Sequence, residues 1–289
     1  DTSALLAVAE RSDVSGNVAL GRDLSLMPTA FPPDAVTQGI PMKKLIAVFA
    51  VSAAFVAPAV AQDAPAKEWT GEGAFNAGIT QGNTKTSDLG AALKIKHAAG
   101  QWAQSGELAA DYGKTNGVET KNRFFGAGQV DRIIDEKWSA YGRVSAEHDE
   151  FSGFENRYFI GVGAAYHAIA SDTTDWVIQG GPGYKIDETR ARTVPPATFI
   201  PAATEESIGA QLASQFKHKL NDKVSFSNDT DVLYSDTSTQ VRNVIALTVD
   251  LMGNLQARAS YDIRYETDPP AGFKSTDTST RLSLVYKIN

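Results

Sequence analysis

The sequence predicts an all-β protein: a single antiparallel transmembrane β-barrel of about twelve strands over residues 69–289. Three observations carry this. Apolar and polar residues alternate with period two along segments of about ten to fourteen residues, longer than the usual soluble strand of about five or six. The connections between segments alternate between short and long. The four tryptophans, Trp69, Trp102, Trp138 and Trp176, all fall at the starts of odd-numbered segments, hence at one end of a barrel.

Residues 1–61 are set apart. Met42 to Gln62 reads MKKLIAVFAVSAAFVAPAVAQ. Lys43 and Lys44 form a positive start, Leu45 to Val56 an apolar stretch, and Ala59-Val60-Ala61 a small-residue cleavage site. Residues 42–61 are therefore expected to be a secretory signal peptide. Such a signal acts from an N-terminus, so 1–41 are expected to be upstream mistranslation outside the fold. Residues 62–68 become a short periplasmic lead-in. Removing the four basic and five acidic residues of 1–61 takes the net charge from −7 to −6. An acidic chain has no basic footprint for nucleic acid. The absence of cysteine removes disulfides, thiolate metal sites and cysteine nucleophiles. No cofactor and no metal site is expected.

The twelve strands are expected at about 69–80, 86–98, 102–113, 119–132, 137–148, 155–168, 174–186, 205–218, 223–235, 240–251, 254–266 and 275–288. The pattern is clearest late in the chain. Leu255, Ala257, Ala259, Tyr261, Ile263 and Tyr265 alternate with Gln256, Arg258, Ser260, Asp262, Arg264 and Glu266. Connections after even strands are short, such as Ala99-Gly100-Gln101 and Met252-Gly253. Those after odd strands are mostly longer: 114–118, 149–154, 187–204 and 267–274. Short turns match periplasmic ends and long loops match extracellular ends. Of seven prolines beyond residue 61, only Pro182 falls inside a strand, where it removes a ladder donor and predicts a bulge or kink.

Parity then assigns the faces. The four Trp form a girdle at the short-turn end, and Tyr112, Tyr158, Tyr234 and Tyr265 form one near the other end. The inward face carries Glu107, Asp111, Arg143, Glu147, Asp229, Asp231, Arg242, Arg258, Asp262 and Arg264, with Gly161, Gly163, Gly181 and Gly183. A polar interior with an apolar exterior is the reverse of a ligand-carrying soluble barrel.

These residues bring the chain to a resemblance. Gly82-Asn83-Thr84 with Thr86-Ser87, His148 to Tyr158 (HDEFSGFENRY), Gly180 to Tyr184 (GGPGY) and Tyr261 to Thr278 (YDIRYETDPPAGFKSTDT) are similar to the salt-induced outer-membrane protein family, bacterial β-barrels of unknown function. The resemblance spans nearly all of 69–289. It implies an outer-membrane barrel and transfers no catalytic residue. Many such barrels end in an aromatic residue, whereas this chain ends Tyr286-Lys287-Ile288-Asn289.

The functional expectation is a non-enzymatic outer-membrane barrel, either a narrow solute channel or an envelope-maintenance barrel, with a link to salt or osmotic conditions through the resemblance. Mixed charges on a lumen wall give field and water access. The same charges can instead lock together and plug a narrow barrel. The 187–204 loop is long enough to fold into the lumen. A lipid hydrolase is the alternative, with His148 beside Asp149, Glu150 and Ser152 as its nearest approach to a catalytic set. A surface-adhesion barrel is another. Gly161-Val162-Gly163 lies within a strand and opens no helix, so it is no dinucleotide fingerprint. The pairs Asp149-Glu150, Asp187-Glu188 and Glu205-Glu206 read as solvated loop charge rather than cation sites among lipopolysaccharide phosphates. The expected partners are outer-membrane lipid and lipopolysaccharide, and the barrel-assembly machinery during insertion.

Overall fold

The structure, a computed structural model, describes residues 68–80 and 86–288. The expected segments 1–41 and 42–61 lie outside the described residues, as does the expected lead-in 62–68 except Glu68, which opens the first strand. Alternation in the sequence becomes strand throughout, and among the described residues there is no helix. The strands are β1 (Glu68–Thr80), β2 (Thr86–Ala99), β3 (Trp102–Thr115), β4 (Val118–Ile133), β5 (Trp138–Asp149), β6 (Asn156–Ala170) and β7 (Thr174–Thr189). Then come β8 (Arg192–Val194), β9 (Thr198–Ile200), β10 (Ala203–Lys219), β11 (Val224–Ser235), β12 (Thr239–Met252), β13 (Leu255–Glu266) and β14 (Thr276–Ile288).

Twelve of these, all but β8 and β9, form a closed antiparallel barrel in which each strand pairs with its sequence neighbour. The ring closes where β1 meets β14, from Gly71↔Ile288 to Phe75↔Leu284. Closure gives every barrel strand a partner on both sides, the arrangement that strands in hydrocarbon require, with β1 and β14 sharing a short ladder. The outward face is apolar: Phe75, Leu93, Leu108, Phe124, Ile160, Ile208, Leu212 and Leu282 are all exposed. Each such Leu, Ile or Phe gains about 1.5–3 kcal/mol on moving from water into an apolar phase. This is an all-β outer-membrane-type barrel, with the core of a soluble protein turned outward.

Turn chemistry sets the strand ends. β3 and β4 meet through two residues, Asn116 (φ 51°) and Gly117 (φ 82°). A two-residue turn with positive φ at both positions needs this residue pair. The expected 114–118 loop is therefore mostly strand, with a bulge at Gly113/Lys114. At the opposite end Asp135 caps the turn before β5, accepting hydrogen bonds from the Lys137 and Trp138 backbone N–H at 2.8 Å each. Those two bonds hold its pKa below the usual carboxylate value.

Two expectations change. At Pro182 the β6–β7 ladder is interrupted, since Gly161↔Gly183 is followed by Ala164↔Gly180, but the register does not shift. Pro182 still pairs with Ala210 on its other side. The bulge on β6 lies instead between His167 and Ile169. The 187–204 connection shrinks to residues 190–202, because β7 and β10 extend beyond the barrel wall and β8 and β9 form a small hairpin of their own.

Candidate functional site

Period two on twelve tilted strands sends alternate side chains into one lumen. It encloses a cavity of about 730 Å³. The lining runs from Thr70, Ser139 and His167 at the short-turn end to Ser152, Pro270 and Phe273 at the long-loop end. Glu107, Asp111, Arg143, Glu147, Asp229, Asp231, Arg242, Arg258 and Arg264 line it. Asp262 is buried beneath the arginines that bind it.

In the long-loop half the charges form one connected network. Arg281 and Arg123 share Asp111, at 3.2 and 3.3 Å. Arg123 binds both oxygens of Glu147 at 3.0 Å each. Arg264 reaches the same Glu147 at 3.1 Å and Asp262 at 3.9 Å. Arg242 binds Asp262 at 2.9 Å. The Glu147–Arg264 contact joins β5 to β13, which are six places apart in the ring counted either way. It therefore bridges the full width of the lumen. A second bridge stands nearer the loops, where Arg157 on β6 meets Glu266 on β13 at 2.6 Å.

The network explains an otherwise unfavourable pairing. Arg242 and Arg264 sit directly opposite each other on β12 and β13. Like charges so placed destabilise a sheet. Here each guanidinium is drawn to a carboxylate, one of them across the lumen.

The short-turn half is looser. Arg258 holds Glu72 through two hydrogen bonds of 2.7 Å. Lys94 stands 3.8 Å from Glu107, whereas Gln211 donates at 2.6 Å to Asp231 on the rung that carries Arg242. Among the described residues Arg143 and Asp229 face the cavity with no ion pair. The wall there offers both signs of charge to water or solute.

The loop-end mouth is covered, though not by the expected element. No residue of 190–202 lines the cavity. Instead 150–155 and 267–275 meet over it, with Gly153 against Pro270 and the Phe273 ring. Phe154 is buried and lies 3.6 Å beneath the Arg157 guanidinium. The β8–β9 hairpin braces this cover from outside: Arg192 donates to the Ala271 carbonyl at 3.0 Å and stacks over Phe273. The loop was long enough to enter the lumen, but its own strand pairing and the length of β7 and β10 hold it away.

Some inward-facing residues escaped the sequence reading. Asp187, taken as solvated loop charge, is 1% exposed and faces Lys185 at 2.9 Å and Arg157 at 3.5 Å. Arg123 was not singled out, although it stands directly opposite Asp111. Phe159 and Tyr141 also point inward. The Phe159 ring lies over Gly161 and Gly183, and Tyr141 over Gly163, so those glycines seat rings rather than widen the lumen.

The girdle residues lie at the strand ends. Trp69, Trp102 and Trp138 are exposed, Trp69 at 55%, and Trp176 is half-buried against Phe216. Trp69 stacks on His97 and Trp138 contacts Tyr166. Tyr112, Tyr234 and Tyr265 are exposed near the other end, and Tyr158 is half-buried. His148 Nδ1 contacts the Asn156 amide oxygen at 2.8 Å. The Ser152 hydroxyl donates to the Phe154 carbonyl, so these two do not form a nucleophile–base pair. Among the described residues no three His, Asp or Glu side chains form a group able to hold a metal.

A closed antiparallel barrel with an apolar exterior, aromatic ends and a charged lumen defines the class of outer-membrane porin-like barrels. Within it the chain belongs to the family described as "Protein of unknown function, DUF481", whose model matches residues 74–288. This is the salt-induced outer-membrane protein family to which its motifs pointed. No curated protein matches the chain in sequence. Among solved structures, the translocator domain of the autotransporter NalP from Neisseria meningitidis is similar at 13% identity and a TM-score of 0.44, covering 86% of this chain and 95% of that one. The porin NanC is similar at 12% identity and 0.44, covering 76% and 100%. An outer-membrane channel from Pseudomonas putida F1 is similar at 10% identity and 0.43, covering 81% and 100%. Nothing about function passes from them to this chain.

Proposed function

We propose that this protein sits in the outer membrane as a narrow, non-enzymatic passage for small polar or charged solutes, throttled in its long-loop half by ion pairs. The carrying observation is the charged cavity whose lining runs from Thr70 at one rim to Phe273 at the other, crossed by Glu147–Arg264. The short turns face the periplasm and the long loops face outward, toward lipopolysaccharide. The barrel-assembly machinery inserts the chain from the periplasmic side. The contacts of His148 and Ser152 favour the non-enzymatic reading. A link to salt or osmotic conditions rests on the family resemblance.

The cross-lumen bridges also favour a second reading, in which the barrel is a closed, envelope-maintaining element. Planar-bilayer recording on the purified protein separates the two. The passage reading expects small discrete steps that grow in Arg264→Ala, which removes the bridge while Glu147 keeps Arg123. It also expects Arg143→Ala to shift selectivity toward cations. A folded barrel that stays silent in both the native protein and Arg264→Ala refutes the passage and leaves the structural reading.

A further inference from the structure

Four polar side chains interrupt the outward apolar face on one side of the barrel. Ser214, Thr230 and Asn243 stand in one row across β10, β11 and β12, since Ser214 pairs with Thr230 and Thr230 with Asn243. Asn228 lies two residues from Thr230 on the same face. Its outward direction is set by neighbours of like parity: Tyr234 is 60% exposed, and Ile245 and Leu247 are exposed beside it. The alternate residues Asp229, Asp231 and Arg242 line the lumen. On β11, Thr230 lies midway between the aromatics Phe226 and Tyr234. That is about 13 Å of strand from either, at roughly 3.3 Å per residue. The row is flanked by Ile178 and Ile263.

The cluster bonds to itself but not completely. Asn243 Nδ2 donates to Thr230 Oγ1 at 2.7 Å, Asn228 Nδ2 to Asn243 Oδ1 at 3.3 Å, and Thr230 Oγ1 to Asn228 Oδ1 at 3.4 Å. Ser214 Oγ accepts from Trp176 Nε1 at 3.0 Å. Each amide has two N–H donors. One on each asparagine, and the Ser214 hydroxyl, therefore have no acceptor within the cluster. Lipid tails supply none, and polar groups at that depth mark contacts between spanning elements. An amide is donor and acceptor at once, so this patch is complementary to a copy of itself. A twofold contact sets identical patches face to face.

We propose that Ser214, Asn228, Thr230 and Asn243 form the centre of a twofold interface between two copies of this chain, with Leu212 and Ile245 packing around it. This rests on the membrane-barrel reading above. Because the chain has no cysteine, a single one can be placed at will. Thr230→Cys puts it on the patch. Leu108→Cys puts it on an exposed outward position of β3, six places from β11 in the ring. The full-length protein is reconstituted in phosphatidylcholine vesicles at low protein density and treated with a membrane-permeant oxidant. Flotation with the vesicles and a heat-dependent shift on gels first establish an inserted barrel. Failure there overturns the membrane reading and this proposal with it.

With insertion established, Thr230→Cys is expected to give a species of twice the mass and Leu108→Cys to stay single. Absence of the doubled species at Thr230, or equal yields at both sites, overturns the interface. The pair Asn228→Leu and Asn243→Leu is expected to weaken self-association roughly tenfold in a fluorescence-transfer dilution series, as expected for losing about two hydrogen bonds in lipid. An unchanged association constant in that inserted variant also overturns it.

Discussion

The Glu147→Gln substitution keeps the shape of one side chain and removes its charge. Glu147 binds Arg123 through two hydrogen bonds of 3.0 Å and Arg264 at 3.1 Å. At an effective dielectric of about 20, each ion pair is worth about 5 kcal/mol gross, much of it offset by desolvation. Without the charge, Arg123, whose side chain is 6% exposed, keeps only Asp111, which Arg281 already shares. Arg264 is left opposite Arg242. A buried charge stripped of its partner costs about 3–5 kcal/mol. Arg264→Ala is the informative contrast. Glu147 then retains Arg123, Asp262 retains Arg242, and the like-charge opposition disappears, so a loss of about 1–2 kcal/mol is expected. Urea unfolding from vesicles, followed by tryptophan fluorescence, reads both. With a slope of about 2 kcal/mol per molar, Glu147→Gln should lower the midpoint by about 2 M and Arg264→Ala by under about 1 M. Equal shifts, or the reverse order, would refute the assignment of Glu147 as the hub of the network.

Two further outcomes are expected from the same titration. Asp135→Asn should lower the midpoint at neutral pH, and the gap from the native protein should close in acid. The folded pKa of Asp135 is depressed, so its contribution is complete above the unfolded value of about 3.9 and is lost as pH falls through the lowered one. A gap that persists unchanged at about pH 2 would show that its charge is not what binds the turn. Phe159→Ala should cost about 3 kcal/mol, because its ring fills the space over Gly161 and Gly183. An unshifted midpoint would mean that water replaces the ring at no cost.

Strand positions were legible because each strand separates two environments, and that contrast imprints period two over its whole length. The segments expected at 223–235 and 254–266 are observed as Val224–Ser235 and Leu255–Glu266. Departures came where local chemistry overrides the pattern. The Asn116-Gly117 pair makes so tight a turn that residues 114 and 115 remain strand. Asp187 was hidden by the polar run that follows it, which concealed how far β7 extends. Facing direction could be read residue by residue, whereas contact across the lumen could not. Parity places Glu147 and Arg264 inside, but only the closed ring sets them at opposite ends of a diameter. Arg123 was within reach, since the β3–β4 hairpin sets it opposite Asp111.

The meeting of β1 and β14 has a consequence for assembly in time. β1 pairs with β2 along its whole length, from Glu68↔Ala98 to Thr80↔Thr86, whereas it meets β14 over only five residue pairs. Those five join positions more than two hundred residues apart, the most distant strand pairing among the described residues. Every other ladder of the barrel joins strands that follow one another along the chain, with only the β8–β9 hairpin between β7 and β10, and can grow by adding the next hairpin. The last one must wait for all of them. Until it forms, the sheet is an open ribbon with two bare margins and no lumen. The shortest ladder in the wall thus turns a curled ribbon into a sealed tube, and the charge network spanning its interior can assemble only after that clasp has shut.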